Sequence, residues 1–212
     1  MSRRLGVLIS GRGSNLQSLI DAIRDGRLRA TIAVVISNEE GAGGLDRAGA
    51  VGIETVVLSH RGWKSRDDYD SALARELRAR NVDLVCLAGF MRIVGPSLID
   101  AFPNAILNIH PALLPAFPGI DAQRQAFEHG VRVSGVTVHF VTRELDAGPI
   151  VLQRTVPVLD EDTRDTLAAR ILEQEHLAYP EAVGIVLDGG WRIDGRRFMR
   201  LPKTLGGQHS GA

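Results

Sequence analysis

Residues 105–119 read AILNIHPALLPAFPG, and the rest of the chain can be placed around them. Ile106, Leu107 and Ile109 form a short apolar run of the kind that fills a buried strand. Pro111 has no N–H for a sheet ladder, so the strand should end near His110. Side chains two apart on a strand share a face, so Asn108 and His110 should project together. A loop with three prolines and a glycine follows. An amide able to polarise a carbonyl thus sits beside an imidazole able to move a proton near neutral pH. A strand-end histidine can equally do no more than bond nearby backbone. In open parallel sheets ligands bind at the carboxyl ends of the strands, where this pair should lie.

Upstream, the pattern alternates. Strands are expected over residues 5–10, 31–37, 54–58, 84–88 and 105–110. Helices are expected between them, after the turn at 11–15 through Leu16, Leu19, Ile20 and Ile23 with Gly26 as the stop, over 44–51 and over 67–80. This alternation predicts an α/β fold, a mostly parallel doubly wound sheet with helices on both faces. Downstream the pattern changes. A helical stretch over 120–129 precedes strands over 133–141 and 150–158, joined by a short loop at Asp146-Ala147-Gly148-Pro149. Such a connection predicts an antiparallel pair in the C-terminal half. A long helix is expected over 163–178, with Asp162 as N-cap, broken at Tyr179-Pro180 and resumed to Leu187. A last short strand is expected at 191–193 and a loose tail over 206–212. One domain over 1–205 is expected, with a Rossmann-like half to 103 and a second half from 104.

Composition sets bounds on partners. Of 212 residues, 44% are apolar and 24% charged, which is ordinary for a globular protein. Lysine plus arginine equals aspartate plus glutamate, 25 each, so no basic field points to nucleic acid. The single cysteine, Cys86, cannot form an internal disulfide and suits a reducing cytoplasm; it should be a buried thiol. No signal sequence and no membrane partner are expected. No His or Cys pair has metal-ligand spacing, so no metal is expected.

Three further places carry chemistry. Gly11-Arg12-Gly13-Ser14-Asn15 joins the first strand to the first helix. Its glycines let backbone N–H groups approach an anion at a helix N-terminus. Leu16 replaces the third glycine of a dinucleotide fingerprint, and the Lys-Ser/Thr of a nucleotide loop is missing. The loop therefore suits one phosphate, with Ser14 and Asn15 adding side-chain hydrogen bonds, or it is a glycine turn with a helix cap. Asp146 is either an orienting carboxylate for His110 or a turn aspartate bonding its own backbone. Glu175 extends the apolar stripe Leu167, Ala168, Ile171, Leu172 by one turn. A carboxylate there needs a partner, a substrate ammonium or a protein cation. His139 and His176 are read as structural.

Together these stretches resemble the phosphoribosylglycinamide formyltransferase family. The markers are residues 8–17 (LISGRGSNLQ), 87–94 (LAGFMRIV), 108–115 (NIHPALLP), 145–149 (LDAGP), and Gln174-Glu175-His176 followed by Tyr179-Pro180. The resemblance implies a formyltransferase fold and 10-formyltetrahydrofolate as co-substrate without a metal. It implies Asn108, His110 and Asp146 as catalytic residues. It places Gly13, Ser14 and Asn15 on the substrate phosphate, with Glu175 at the glycinamide end. Met91, Arg92, Ile93 and Val94 would line the folate pocket, largely through backbone, with Arg66 facing the folate tail. Small-molecule substrates, a monomer or homodimer and a cytoplasmic setting are further implications. Ala112, Asp121, Gln123 and Glu39 depart from the residues common in that family. A formyltetrahydrofolate deformylase and a methionyl-tRNA formyltransferase share the core but carry added domains, for which 212 residues are expected to leave no room. A non-catalytic phosphosugar-binding module would explain the glycine loop but not the Asn108–His110 pair.

Overall fold

The computed structural model describes residues 2–202, so the tail expected from residue 206 lies outside the described residues. The chain runs β1 (Arg3–Ile9), α1 (Ser14–Arg24), β2 (Ala30–Ser37), α2 (Gly43–Ala50), β3 (Thr55–Val57), α3 (Arg66–Ala79), β4 (Leu84–Leu87), α4 (Pro96–Ala101) and β5 (Ile106–His110). It continues through α5 (Ala122–Glu128), β6 (Val133–Phe140), β7 (Ile150–Pro157), α6 (Arg164–Leu187), β8 (Trp191–Asp194) and β9 (Arg197–Arg200). The strands form one sheet in the order β3-β2-β1-β4-β5-β6-β7-β9-β8. β1 to β5 are parallel, and β6 is antiparallel to both β5 and β7, as the sequence predicts. The order reverses between β1 and β4, so the crevice of an open α/β sheet opens at their carboxyl ends.

Alternation within each strand makes two cores. Leu5, Val7, Ile9, Cys86, Leu107 and Ile109 face α1 and α6, while Leu8, Val85, Leu87 and Ile106 face α3 and α4. Cys86 is fully buried, and burial pushes its thiol up to about 12. No described helix is long and apolar enough to cross a membrane.

Three expectations are corrected. α6 is one helix running through Pro180 rather than two pieces. A proline in a helix interior costs about 3 kcal/mol. Against that, Ala178, Tyr179, Ala182 and Val183 are fully buried on the sheet, and a single large apolar side chain gains roughly 1.5–3 kcal/mol on burial. The Tyr179 hydroxyl also lies 2.8 Å from the Leu87 carbonyl and 3.2 Å from that of Leu107, tying α6 across β4 and β5. The N-cap of α6 is Thr163, whose hydroxyl and that of Thr166 form a reciprocal capping box. Asp162 instead pairs with Arg170 at 2.7 and 2.8 Å, which holds its carboxyl well below the usual range. Finally, α4 and β9 are elements that periodicity did not mark. α4 has only six residues, and β9 is a four-residue strand, with an arginine at each end, paired with β8 around Gly195. Trp191 and Phe198 dock that hairpin by packing on Phe140, with ring centroids 5.3 and 6.0 Å from its ring.

Candidate active site

β5 presents its two polar side chains as the alternation requires. Leu107 and Ile109 point into the α6-side core, so Asn108 and His110 share the other face, and His110 ends the strand before Pro111. β6 lies antiparallel beside it, with Asn108 opposite His139 and His110 opposite Thr137. The β6–β7 connection then folds back onto the sheet. Gly148 permits this approach, because a Cβ there would sit 1.8 Å from the Phe140 carbonyl oxygen. Asp146, in the left-handed backbone region at φ 50, is carried over the end of β5.

The result is a buried carboxylate between two imidazoles. Asp146 Oδ2 lies 3.5 Å from His110 Nδ1 and accepts the Gly119 N–H at 2.8 Å. Asp146 Oδ1 lies 3.6 Å from His139 Nε2. His110 Nε2 is 2.8 Å from the Phe117 carbonyl, so the histidine has both of the partners open to it, backbone and carboxylate. Asn108 Nδ2 is 3.3 Å from His139 Nε2, and His139 Nδ1 is 2.9 Å from the Phe140 carbonyl. His110 is 4% exposed and His139 2%. Burial pulls the His139 pKa down, against the Phe140 carbonyl and the Asp146 charge, which pull it up; His110 adds to the lowering. His139 therefore belongs to this cluster and is not a bystander in an alternating strand. Its pairing register with Asn108 is the signal that would have found it.

The glycine loop lies at the end of β1, in the crevice. Gly13 stands at φ 71 as the N-cap residue of α1, and among the described residues no side chain caps that helix. The first N–H groups of α1 are thus free of a helical or side-chain partner. Gly13 also packs on α2, where a Cβ would lie 2.5 Å from Gly44 Cα. Arg47 on α2 holds the loop from behind through the Arg12 carbonyl, 2.8 Å away. The Asn15 side chain is not turned to the loop mouth as expected. Its Nδ2 donates to Glu175 Oε2 at 2.6 Å, while its Oδ1 is buried with no partner among the described residues. Glu175 is 6% exposed and has this neutral amide, not a protein cation, as its partner. Burial pushes its carboxyl up, and the Asn15 donor only partly offsets that.

The 91–94 segment closes the other side of the crevice, after β4. The Met91 N–H donates to Ser10 Oγ at 2.8 Å, and the Ser10 N–H to the Gly89 carbonyl at 3.1 Å. Met91 and Ile93 are 74% and 54% exposed, an open apolar surface beside the crevice. Val94 packs its side chain into the α3–α4 core, so only its backbone faces outward use. The Arg92 guanidinium stacks 5.5 Å from the Tyr69 ring centroid. Arg66 begins α3 close to Gly95. Asp70, unmarked by sequence reasoning, accepts the Gly95 N–H at 2.6 Å and anchors the segment. Burial raises its carboxyl, opposed by Gly95, Arg66 and Arg92. Ile120 and Leu145, also exposed, flank the Gly119–Asp146 contact, and as loop residues they have no period to mark them.

A formyl transferase family profile matches residues 3–183. The chain belongs to the formyl transferase family. Among formyl transferases it is 46% identical over 193 residues to phosphoribosylglycinamide formyltransferase of Escherichia coli (strain K12), covering 91% of this chain and 88% of that one. It is 47% identical over 189 residues to the trifunctional purine biosynthetic protein adenosine-3 of Drosophila melanogaster. That match covers 88% of this chain but 14% of the relative, so the chain spans only a small part of its length. The crystal structure of glycinamide ribonucleotide transformylase 1 from Symbiobacterium toebii superposes with a TM-score of 0.93 at 53% identity, over 95% of each chain. The formyl transferase sheet, with its parallel half and antiparallel pair, is the fold described above.

Proposed function

We propose that this chain transfers the formyl group of 10-formyltetrahydrofolate to the amine of glycinamide ribonucleotide. The observation that carries the reading is the convergence of Asn108, His110 and Asp146 at the end of β5, beside the open apolar segment that follows β4 and one strand further from the glycine loop that follows β1. The ribonucleotide phosphate binds the free N–H groups of Gly13, Ser14 and Asn15, and its glycinamide end lies by Glu175. The folate lies along Met91, Arg92, Ile93 and the Val94 backbone, with Arg66 towards its tail.

The neutral amine attacks the formyl carbon, and the carbonyl electrons move to oxygen. Asn108 donates to that oxyanion, the kind of preorganised contact whose loss costs roughly 2.7–4 kcal/mol. His110 takes the proton from the attacking amine and delivers it to the leaving folate nitrogen, directly or through water. To do so its Nε2, which carries the ring hydrogen while bonded to the Phe117 carbonyl, leaves that carbonyl for substrate or water, and the ring hydrogen moves to Nδ1 beside Asp146. Asp146 orients the ring and supports its charged form during the transfer. When the carbon–nitrogen bond to folate breaks, the products are the N-formyl amide and tetrahydrofolate.

The test is turnover of the folate donor followed by absorbance, with and without glycinamide ribonucleotide. Loss of donor only when the amine is present is the expected result. Equal loss without it would identify a hydrolase of the donor instead.

Glu175→Gln separates binding from stability. The folded carboxyl titrates above its ordinary value of 4.5, so the fold penalises its charged form. That penalty is absent below the ordinary value and grows as pH rises through the folded one. The variant should therefore gain melting temperature over wild type as pH rises from about 4.5 towards neutrality. Its Michaelis constant for the ribonucleotide should rise about tenfold or more, since a hydrogen bond to a charged group contributes roughly 1.5–3 kcal/mol, and the folate constant should stay put. A destabilised variant with both constants unchanged would make Glu175 purely structural.

A further inference from the structure

We propose that His139 is a positioning residue for formyl transfer: as a neutral ring it holds the Asn108 amide with its nitrogen, not its oxygen, towards the reacting formyl group. This rests on the reading of Asn108 as the oxyanion donor. The two ends of an asparagine amide are nearly the same size, and only hydrogen bonds decide which way it points. Among the described residues, Asn108 makes no side-chain hydrogen bond other than the one to His139. What His139 does at Nε2 therefore determines what Asn108 offers to the substrate.

The tautomer follows from the backbone. The Phe140 carbonyl can only accept, so His139 Nδ1, 2.9 Å away, carries the ring hydrogen. Nε2 of the neutral ring is then bare and can only accept. The Asn108 atom 3.3 Å from it must be the amide nitrogen. That nitrogen has two hydrogens. One is spent on His139, and the second remains for the formyl oxygen. If Nε2 were protonated instead, an N–H would face the Asn108 NH2, and the amide would turn its carbonyl oxygen to the ring. The donor at the reacting centre would then be turned away.

The groups facing the ring are Asn108 and His110 from β5, Asp146 from the β6–β7 connection, and the Phe140 carbonyl. The Asp146 carboxylate, 3.6 Å from Nε2, attracts a proton to it. Its nearly complete burial and the neighbouring His110 work against that proton, and burial is the largest influence on the ring. The two imidazoles flanking Asp146 thus divide the work. His110 carries charge during the transfer, and His139 stays neutral and holds the amide.

His139→Gln and His139→Met test this. The two side chains are close in size, but only Gln has a carbonyl oxygen that can accept from Asn108 at about the Nε2 position. In His139→Met, kcat should fall about tenfold to hundredfold, below the hundredfold to thousandfold seen on deleting an oxyanion donor. Both Michaelis constants should stay within about threefold, because ground-state binding does not use this hydrogen bond. His139→Gln should recover most of the lost kcat. Asn108→Ala should be severe in the wild-type background and add little to His139→Met. Equal kcat in the Met and Gln variants would overturn the positioning role and leave only packing. If His139→Met does not fold, a His139→Gln kcat as low as that of Asn108→Ala overturns it equally. A harmless Asn108→Ala would instead refute the oxyanion reading itself, and would be seen independently of either His139 variant.

Discussion

Replacing His110 with alanine should lower kcat about a hundredfold to ten-thousandfold, the usual contribution of a positioned acid–base group. Folate and ribonucleotide affinities should change little, because neither site is built from the imidazole. The variant also leaves the Phe117 carbonyl without its donor and empties a buried volume. Leaving one buried partner of a hydrogen bond unmade costs about 1–3 kcal/mol, and the emptied volume adds a truncation cost to it. A slower chemical step in the folded variant separates the rate effect from that loss of stability. Single-turnover kinetics at saturating substrates, with the melting temperature measured alongside, check this. A wild-type chemical step would reduce His110 to a residue that holds the 117 loop.

Gly13→Val should have the second large effect, and the structure changes the reason for it. By the sequence, the glycines keep the loop backbone open to an anion. In the structure, two penalties act before any ligand arrives. A β-branched residue at φ 71 is strained, at roughly 1–3 kcal/mol. Its Cβ would also lie 2.5 Å from Gly44 Cα, a backbone atom that cannot swing aside. Pushing α2 away is an overpacking cost of typically another 1–3 kcal/mol. Together these remove a large share of a typical domain's stability. The valine variant should unfold at markedly lower denaturant concentration. Gly13→Ala meets the same Gly44 contact through its Cβ but lacks valine's two methyl groups, so it is the less destabilised comparison. By calorimetric titration it should bind the ribonucleotide at least about tenfold more weakly and the folate normally, because the loop N–H groups move while the 91–94 segment does not. Unchanged ribonucleotide affinity in the alanine variant would make this loop only a packing junction between α1 and α2.

What could be read in the sequence followed from periodicity and from backbone chemistry. The alternation of strands and helices through β5 carried the parallel half of the sheet. The period of two placed Asn108 and His110 on one face, and Pro111 ended their strand. What could not be read depended on partners distant in sequence. His139 looked like an ordinary strand residue because its meaning lies in its register with Asn108 across the β5–β6 pair. Glu175 was seen to need a partner, yet the partner, Asn15, is 160 residues away and had been assigned to the phosphate. Pro180 marked a helix break by local rules, and the buried face of α6 outweighed it. Asp70 and Ser10 support the 91–95 stretch through the Gly95 and Met91 backbone N–H groups, which carry no side-chain signature.

The central claim is that the formyl group reaches an amine and not water. The most direct measurement uses 10-formyltetrahydrofolate labelled with carbon-13 in the formyl group, together with glycinamide ribonucleotide and the purified chain. The account predicts that the label appears in N-formylglycinamide ribonucleotide, in step with tetrahydrofolate formed, and that Asn108→Ala and His110→Ala slow its appearance. Label recovered as free formate, at a rate indifferent to the ribonucleotide, would contradict it.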